Sequence, residues 1–396
     1  MFADFVAARG HERIGREEAG AIQMTTLHPI RVLMILDTFR FGGAENLVAE
    51  LGRFDPESLQ VAVASLAPAE IAGDAMFGRL AAAGLKPTYL SVRRLLDLRG
   101  FFRLVRTLRL VPVDVVHTHL DYSAMLVPLA ARLAGKPTVA TLHETPRQHP
   151  SRRERLKELL TVRVPGRLGR VVFVSQYAFD EFARRYGPAR STWRVIHNGI
   201  NLDRYNPQRD RPPGSERPVW AVVAALRPLK NHVDLVRAWA GVVAVHPKAT
   251  LLVVGDGPSR SDIEQTLADA GLQDSVRMLG RREDVPELLQ TVDGVVSASV
   301  WEALPTALIE AGACGLPVVA ADAGGTGEIV EDGVNGRLVP VRDVPALTRA
   351  LLDIIGDPAL AADYGAAGRA RAEEKFSMTT WVNALERLYR EVIGGA

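Results

Sequence analysis

"NPQRDRPPGSERPVWAVVAAL", residues 206–226, stops one pattern and starts it again. Four prolines, a glycine and charges of both signs crowd residues 206–218, the composition of a linker between periodic segments. "VWAVVAAL" (219–226) then reads as a strand. Before the linker, short apolar runs at 31–36, 59–66, 113–119, 137–143, 170–175 and 193–200 alternate with amphipathic helical stretches. After it the alternation resumes at 249–257, 276–280, 294–299 and 317–322. Strands alternating with helices predict a mostly parallel sheet covered on both faces, so the fold class is α/β. Two such domains are expected, residues 30–205 and 219–376, joined by 206–218. Residues 1–29 stand apart as an extension, disordered or wrongly assigned to the chain, and Met24 is a candidate start.

The 396 residues are 47% hydrophobic and 24% charged, which supplies apolar material for a core in each domain. A formal net charge of +2 and 6% aromatic content offer no broad cationic or stacking surface, so nucleic acid is not expected as a partner. Cys314 is the single cysteine and lies in an apolar run, which excludes an internal disulfide and suits a reducing compartment. No run nears the roughly 20 apolar residues of a membrane span, and the opening residues lack the basic start and apolar core of a signal peptide. A cytoplasmic protein is expected.

In open α/β sheets ligands bind beyond the carboxyl ends of the strands, where strand order reverses. Two domains facing each other would make one deep cleft there. The unusual residues fall at such places: Gly42, Gly43, His119, His143, Arg227, Glu302 and Gly324. In "WEALPTALIEAGACGLPVVA" (301–320), Pro305 suits the first position of a helix running from about Leu304 to Ala313. Glu302 then precedes the helix and Glu310 lies inside it, while the N–H groups of Thr306 and Ala307 offer an anion site. A phosphate there, with a carboxylate on either side, suits an elongated ligand containing a diphosphate and hydroxyl-bearing rings. The plain alternative is that Glu302 caps the helix and Glu310 lies on a solvated face.

Arg227 and Lys230, in "ALRPLKNH" (225–232), are suited to neutralising a diphosphate. The glycines of "FGGAENL" (41–47) let a backbone approach a ligand closely. Neither that stretch nor "GDGPSR" (255–260) has the dinucleotide G-x-G-x-x-G spacing, which disfavours a dehydrogenase. His117, His119 and His143 lie near strand ends without the thiolates or spaced ligands of a zinc site, and the chain has no Asp-x-Asp pair to hold a divalent ion. No metal is expected. His117 reads as a locally hydrogen-bonded histidine, and His119 and His143 read as cleft residues.

The ordered set "GGAE", "VVHTH", "ATLHE", "VSQYAFDEF", "VIHNGIN", "LRPLKNH", "LLVVGDGP" and "EALPTALIEAGACGLPVVAADAGGTGEIVEDGVNGRLV" resembles the family 4 retaining glycosyltransferases of GT-B fold. The resemblance covers nearly the whole chain from about residue 30. Its most specific element is the Glu-x7-Glu pair, Glu302 and Glu310, followed by "GGTGEIV". It implies two Rossmann-like, doubly wound domains facing across a cleft, with a C-terminal helix, 377–396, returning to the first. It also implies transfer of a hexosyl-type sugar from a UDP- or GDP-sugar to a saccharide or lipid-linked acceptor, in polysaccharide, lipopolysaccharide or glycolipid synthesis. The reaction would retain configuration and need neither metal nor other cofactor.

By the same resemblance Glu310 binds the ribose hydroxyls, Arg227 and Lys230 hold the diphosphate, and Glu302 and His143 meet the donor sugar. Gly43, beside Gly42, lies near the diphosphate, and Gly325 and Thr326 line the sugar pocket. "LGRREDV" (279–285), which contains Arg281, is similar to the segment whose backbone meets the base. The interval in "RPLK" is shorter than in many members, which leaves open which basic residue meets which phosphate. A sugar-nucleotide epimerase and a non-catalytic sugar-nucleotide-binding subunit are the rival readings. Two basic stretches of the first domain, six arginines against one aspartate in 91–110 and eight basic against two acidic residues in 145–170, make an anionic membrane surface a candidate partner at its inner face. Packed helices with solvated arginines are the plainer reading.

Overall fold

The computed structural model describes residues 28–93, 96–207 and 217–395. Met24, nearly all of the 1–29 extension and the middle of the 206–218 linker lie outside the described residues. The chain divides into two compact units. One comprises residues up to Phe173, Phe182–Ile196 and the chain from Val382; the other comprises Val174–Glu181 and His197–Trp381.

The first unit runs β1 (Ile30–Leu36), α1 (Gly43–Phe54), β2 (Leu59–Ser65), α2 (Ala69–Ala72), α3 (Phe77–Ala82), β3 (Thr88–Tyr89), α4 (Leu98–Leu110), β4 (Val115–His119), α5 (Asp121–Ala134), β5 (Thr138–Leu142), α6 (Arg152–Leu168) and β6 (Arg170–Phe173). It continues through the second half of α7 (Gln176–Tyr186), from Phe182, and β7 (Trp193–Val195). The strands form a parallel sheet in the order β3-β2-β1-β4-β5-β6-β7, with Ile35 opposite both Ala64 and Thr118. Helices on both faces bury the strands on both sides, which is why β1 reads as the nearly continuous apolar run IRVLMIL and why even the histidines and threonines of β4 (VVHTH) and β5 (TVATL) are buried. Local chemistry sets the helix starts. At α6, Ser151 accepts from the Glu154 N–H while the Glu154 carboxylate accepts from the Ser151 N–H, a reciprocal capping box.

The second unit holds β8 (Val219–Val223), α8 (His232–Val245), β9 (Thr250–Val254), α9 (Arg260–Ala270), β10 (Val276–Gly280), α10 (Val285–Leu289), β11 (Gly294–Ser297) and α11 (Thr306–Ala313). These are followed by β12 (Val318–Ala321), β13 (Gly336–Val339), α12 (Val344–Gly356), α13 (Pro358–Lys375) and the start of α14 (Met378–Gly394). Its parallel sheet has the order β10-β9-β8-β11-β12-β13. Trp220 and Trp239 are fully buried in one of its cores, and Cys314 is buried in another.

The structure departs from the sequence reading at several points. β3 and β13 are additional edge strands. α11 begins at Thr306, because Pro305 has ψ 90 and therefore caps the helix from outside it. The segments 174–181 and 197–205 belong to the second unit: the Ile200 N–H donates to the Phe376 carbonyl at 2.7 Å, and Ile200 bridges to Ser377. From Val382 onward α14 belongs to the first unit. No helix among the described residues is long and apolar enough to cross a membrane.

Candidate active site

In the second unit strand order reverses between β8 and β11. The loops after these two strands hold the most unusual side chains, as expected where a crevice opens at a switch point. After β8, Pro228–Lys230 make one turn of 3-10 helix capped by Arg227, and Asn231 leaves it at φ 52, a left-handed conformation that asparagine tolerates. The Val300 N–H donates to the Leu229 carbonyl at 2.8 Å, which ties this turn to the loop after β11. Across the tie, Lys230 Nζ meets Glu302 Oε1 at 2.5 Å. Glu302 is only 8% exposed, so the pair interacts in a medium less screening than water. Glu302 thus faces Lys230 and does not cap α11.

The first turn of α11 carries Thr306 and Ala307, both partly exposed, and Pro305 offers its end no side-chain acceptor. Glu310 lies partly buried one turn further on. The loop ahead of α11 rests on the turn Gly324–Glu328: the Gly325 N–H donates to the Glu302 carbonyl at 3.1 Å. A Cβ at Gly325 would lie 1.9 Å from the Ala303 carbonyl oxygen, so only glycine allows the two backbones to touch. Thr326 is buried, and its hydroxyl donates to the Ala323 carbonyl, which leaves this turn's backbone as the part able to meet a ligand. Arg227 and Arg281 are exposed; the Arg227 backbone is held by its N–H donating to the Ala225 carbonyl at 2.8 Å and its carbonyl accepting from the Lys230 N–H at 2.9 Å, which leaves the guanidinium on the exposed side.

Glu328, which the sequence reading did not single out, closes the same turn. It accepts from the N–H groups of Gln176 and Tyr177 at 2.9 and 2.8 Å, and from His197 Nε2 at 2.8 Å. Burial pushes its carboxyl up, but the bonds from His197, Tyr177 and Gln176 outweigh burial and hold it below the usual range.

In the first unit strand order reverses between β1 and β4, and a cavity of about 300 Å³ lies beyond the ends of β1, β4 and β5, lined by Asp37, Leu120, Tyr122, His143 and Lys157 among others. Asp37 accepts from the Tyr122 and Ser123 N–H groups at 2.9 and 2.7 Å, occupying the free donors at the start of α5. Burial raises its carboxyl against those bonds. Leu120 holds φ 76 and ψ −170, a strained backbone for a residue with a side chain, where β4 turns into α5.

His143 is partly buried at this cavity, whereas His119 is fully buried and reaches it only through His143: Nδ1 of His119 lies 2.9 Å from Nε2 of His143. His117 lies behind, bonded to the Tyr389 hydroxyl at 2.6 Å and the Thr141 hydroxyl at 2.7 Å. At the start of α1, Gly43 is exposed, with open space where a side chain would stand. Gly42 leaves room for a different group. A Cβ there would fall 2.3 Å from Oε2 of Glu45, whose carboxyl is buried and raised to about 7, by burial first and by the charge of Asp37 beside it.

Residues 41–204 match the family described as Glycosyltransferase Family 4, and residues 206–371 match that described as Glycosyl transferases group 1. Over 287 residues the chain is 26% identical to the UDP-Gal:alpha-D-GlcNAc-diphosphoundecaprenol alpha-1,3-galactosyltransferase of Escherichia coli, covering 67% of this chain and 72% of that one. Over 276 residues it is 30% identical to the GDP-mannose-dependent alpha-(1-6)-phosphatidylinositol monomannoside mannosyltransferase of Mycolicibacterium smegmatis, covering 65% and 71%. Its fold is similar to that of Anabaena HepE in complex with UDP and glucose, with a TM-score of 0.78, 23% identity and coverage of 91% and 99%. The sucrose-phosphate synthase of Thermosynechococcus elongatus has a TM-score of 0.76 at 21% identity, with coverage of 93% and 100%. With its two parallel-sheet Rossmann-like units, this chain has the GT-B fold and belongs to the family 4 glycosyltransferases.

Proposed function

We propose that this glycosyltransferase moves a hexosyl-type sugar from a UDP- or GDP-sugar to a saccharide or lipid-linked acceptor, with retention of configuration and without a metal ion. The observation that carries this reading is the Lys230–Glu302 pair in the loops that lead to the start of α11, where Pro305 supplies no side-chain acceptor to the first N–H groups. A diphosphate at that helix end would gain the helix dipole, the Thr306 and Ala307 N–H groups and the Lys230 ammonium, with Arg227 on the exposed side. Such positive charge supports departure of the diphosphate unaided by a divalent ion. Glu310 would take the ribose hydroxyls, and Glu302, His143 and the Gly325 backbone the sugar. The departing diphosphate would accept the acceptor's proton on the face where the new bond forms, so that stabilisation of the leaving charge dominates catalysis. The test is transfer from UDP-galactose or GDP-mannose to a diphospholipid-linked saccharide in the presence of EDTA, with the product's anomeric centre read by NMR. Retained configuration and undiminished turnover are expected; inversion, or loss of activity with EDTA, would contradict the reading.

We further propose that the enzyme meets its acceptor at an anionic membrane surface through the outer face of α4. That face presents Leu98, Phe102 and Leu110, which are 69%, 65% and 72% exposed, interleaved with exposed Arg99, Arg103, Arg106 and Arg109, and the helix carries no acidic residue. Leu129, Arg132 and Leu133 of α5 are exposed as well. Apolar side chains interleaved with arginine match a lipid interface of negative charge. Because each arginine near such a surface contributes about 1 kcal/mol, Arg99→Gln with Arg106→Gln should weaken binding to phosphatidylglycerol-containing vesicles about 30-fold. Co-sedimentation checks this, and equal binding to purely zwitterionic vesicles would contradict it.

A further inference from the structure

Behind the histidine at the cavity stands another that no ligand can touch. The ring of His119 lies between two others, stacked on His117 at 4.3 Å and on His143 at 5.2 Å between centroids. His117 is bonded at both ring nitrogens, to the hydroxyls of Tyr389 and Thr141, which fixes the wall on that side. Burial holds all three rings well below the usual histidine range, His143 at about 4 and His117 at about 3, so none carries charge at neutral pH.

Between two neutral imidazoles one nitrogen must donate and the other accept. The contact from Nδ1 of His119 to Nε2 of His143 is 2.9 Å, a full hydrogen bond, and its direction follows from the far side of His119. There Nε2 is buried and has no hydrogen-bond partner among the described residues. A proton on that nitrogen would seal an N–H away from every acceptor, a rarer and costlier defect than a bare lone pair. The His119 proton therefore belongs on Nδ1, Nε2 of His143 accepts it, and the proton of His143 resides on its own Nδ1.

We propose that His119 is a positioning residue that holds His143 as the Nδ1–H tautomer, a hydrogen-bond donor toward an oxygen of the bound sugar. The sugar contact rests on the reading of His143 given above, whereas the tautomer is a property of the free protein. A histidine serves here where an apolar residue would not, because it sets which way the bond at the cavity runs.

NMR of the full chain carrying ring-nitrogen-labelled histidine, without ligand at neutral pH, reads the tautomer directly. Wild type should show His143 protonated at Nδ1. His119→Asn, which keeps a donor near the same place, should preserve that signature, and His119→Leu should shift His143 toward the Nε2–H form. The preference for UDP-galactose over UDP, or GDP-mannose over GDP, should fall about tenfold in His119→Leu, as for one lost hydrogen bond, and little in His119→Asn. His143 protonated at Nε2 in wild type would overturn the proposal, whatever the sugar affinity. A His143→Ala variant that kept the full sugar preference would instead overturn the sugar contact, so the two failures are distinct.

Discussion

Replacing Lys230 with alanine should lower kcat by about 100-fold or more, the usual loss when one preorganised charge is removed from a developing anion. The expectation follows from where Lys230 stands: a 3-10 turn at the end of β8, held to the loop of Glu302 by the Val300–Leu229 hydrogen bond, ahead of the start of α11. The substitution also leaves a nearly buried carboxylate at Glu302 without its cation, which should cost about 1–3 kcal/mol of stability. These two effects are separable. Lys230→Ala combined with Glu302→Gln should regain most of the stability, because the uncompensated charge is gone, and none of the turnover. Denaturant midpoints and steady-state kinetics on the four proteins of this cycle provide the check. A near-normal kcat in Lys230→Ala would remove Lys230 from the chemistry.

The two-domain α/β organisation was legible because strands buried on both faces are rich in apolar, β-branched residues, and eleven such runs are long enough to stand out between helices. β3 and β13 were not. Thr88–Tyr89 spans only two residues, and Gly336–Val339 contains a glycine and a half-exposed arginine, so neither edge strand shows the run that double burial imposes. Pro305 was expected inside α11 because proline suits a first turn. Its actual role as cap depends on ψ, which residue type alone leaves open.

At the site, sequence chemistry picked out Lys230 and Glu302 separately. Their contact spans 72 residues and exists only because the sheet order sets β8 beside β11. The same holds for His119, a strand-end residue by sequence, whose side chain faces inward against His117 and His143. Glu328 was passed over because a glutamate in a glycine-rich turn has no mark of its own. Its role comes from the N–H groups of Gln176 and Tyr177, more than 150 residues earlier. Glu45 did lie in the quoted "GGAE", but the signal pointed to the glycines, and the buried carboxyl packed against Gly42 became visible only with the fold.

The second large effect expected is on nucleotide affinity. If Glu310 accepts hydrogen bonds from the ribose hydroxyls, removing its carboxylate forfeits charge-assisted bonds of about 1.5–3 kcal/mol, or roughly 10- to 100-fold in Kd. Glu310 lies on the partly exposed side of α11, within the turns that follow Thr306 and Ala307, so its removal should leave the fold of the second unit intact. Bare nucleotide suffices to read this loss, because the sugar is held by other groups in this account.

The most direct measurement is therefore the thermal stability of wild type and Glu310→Ala with UDP, GDP and ADP. At about 100 times its dissociation constant, the cognate nucleotide should stabilise wild type by about 2.7 kcal/mol, and the same concentration should give the variant about 1.4 kcal/mol or less. Stabilisation by one of UDP and GDP, sharply reduced in the variant, is the predicted result. No stabilisation of wild type by any of the three, or equal stabilisation of both proteins, would contradict the placement of the nucleotide at α11.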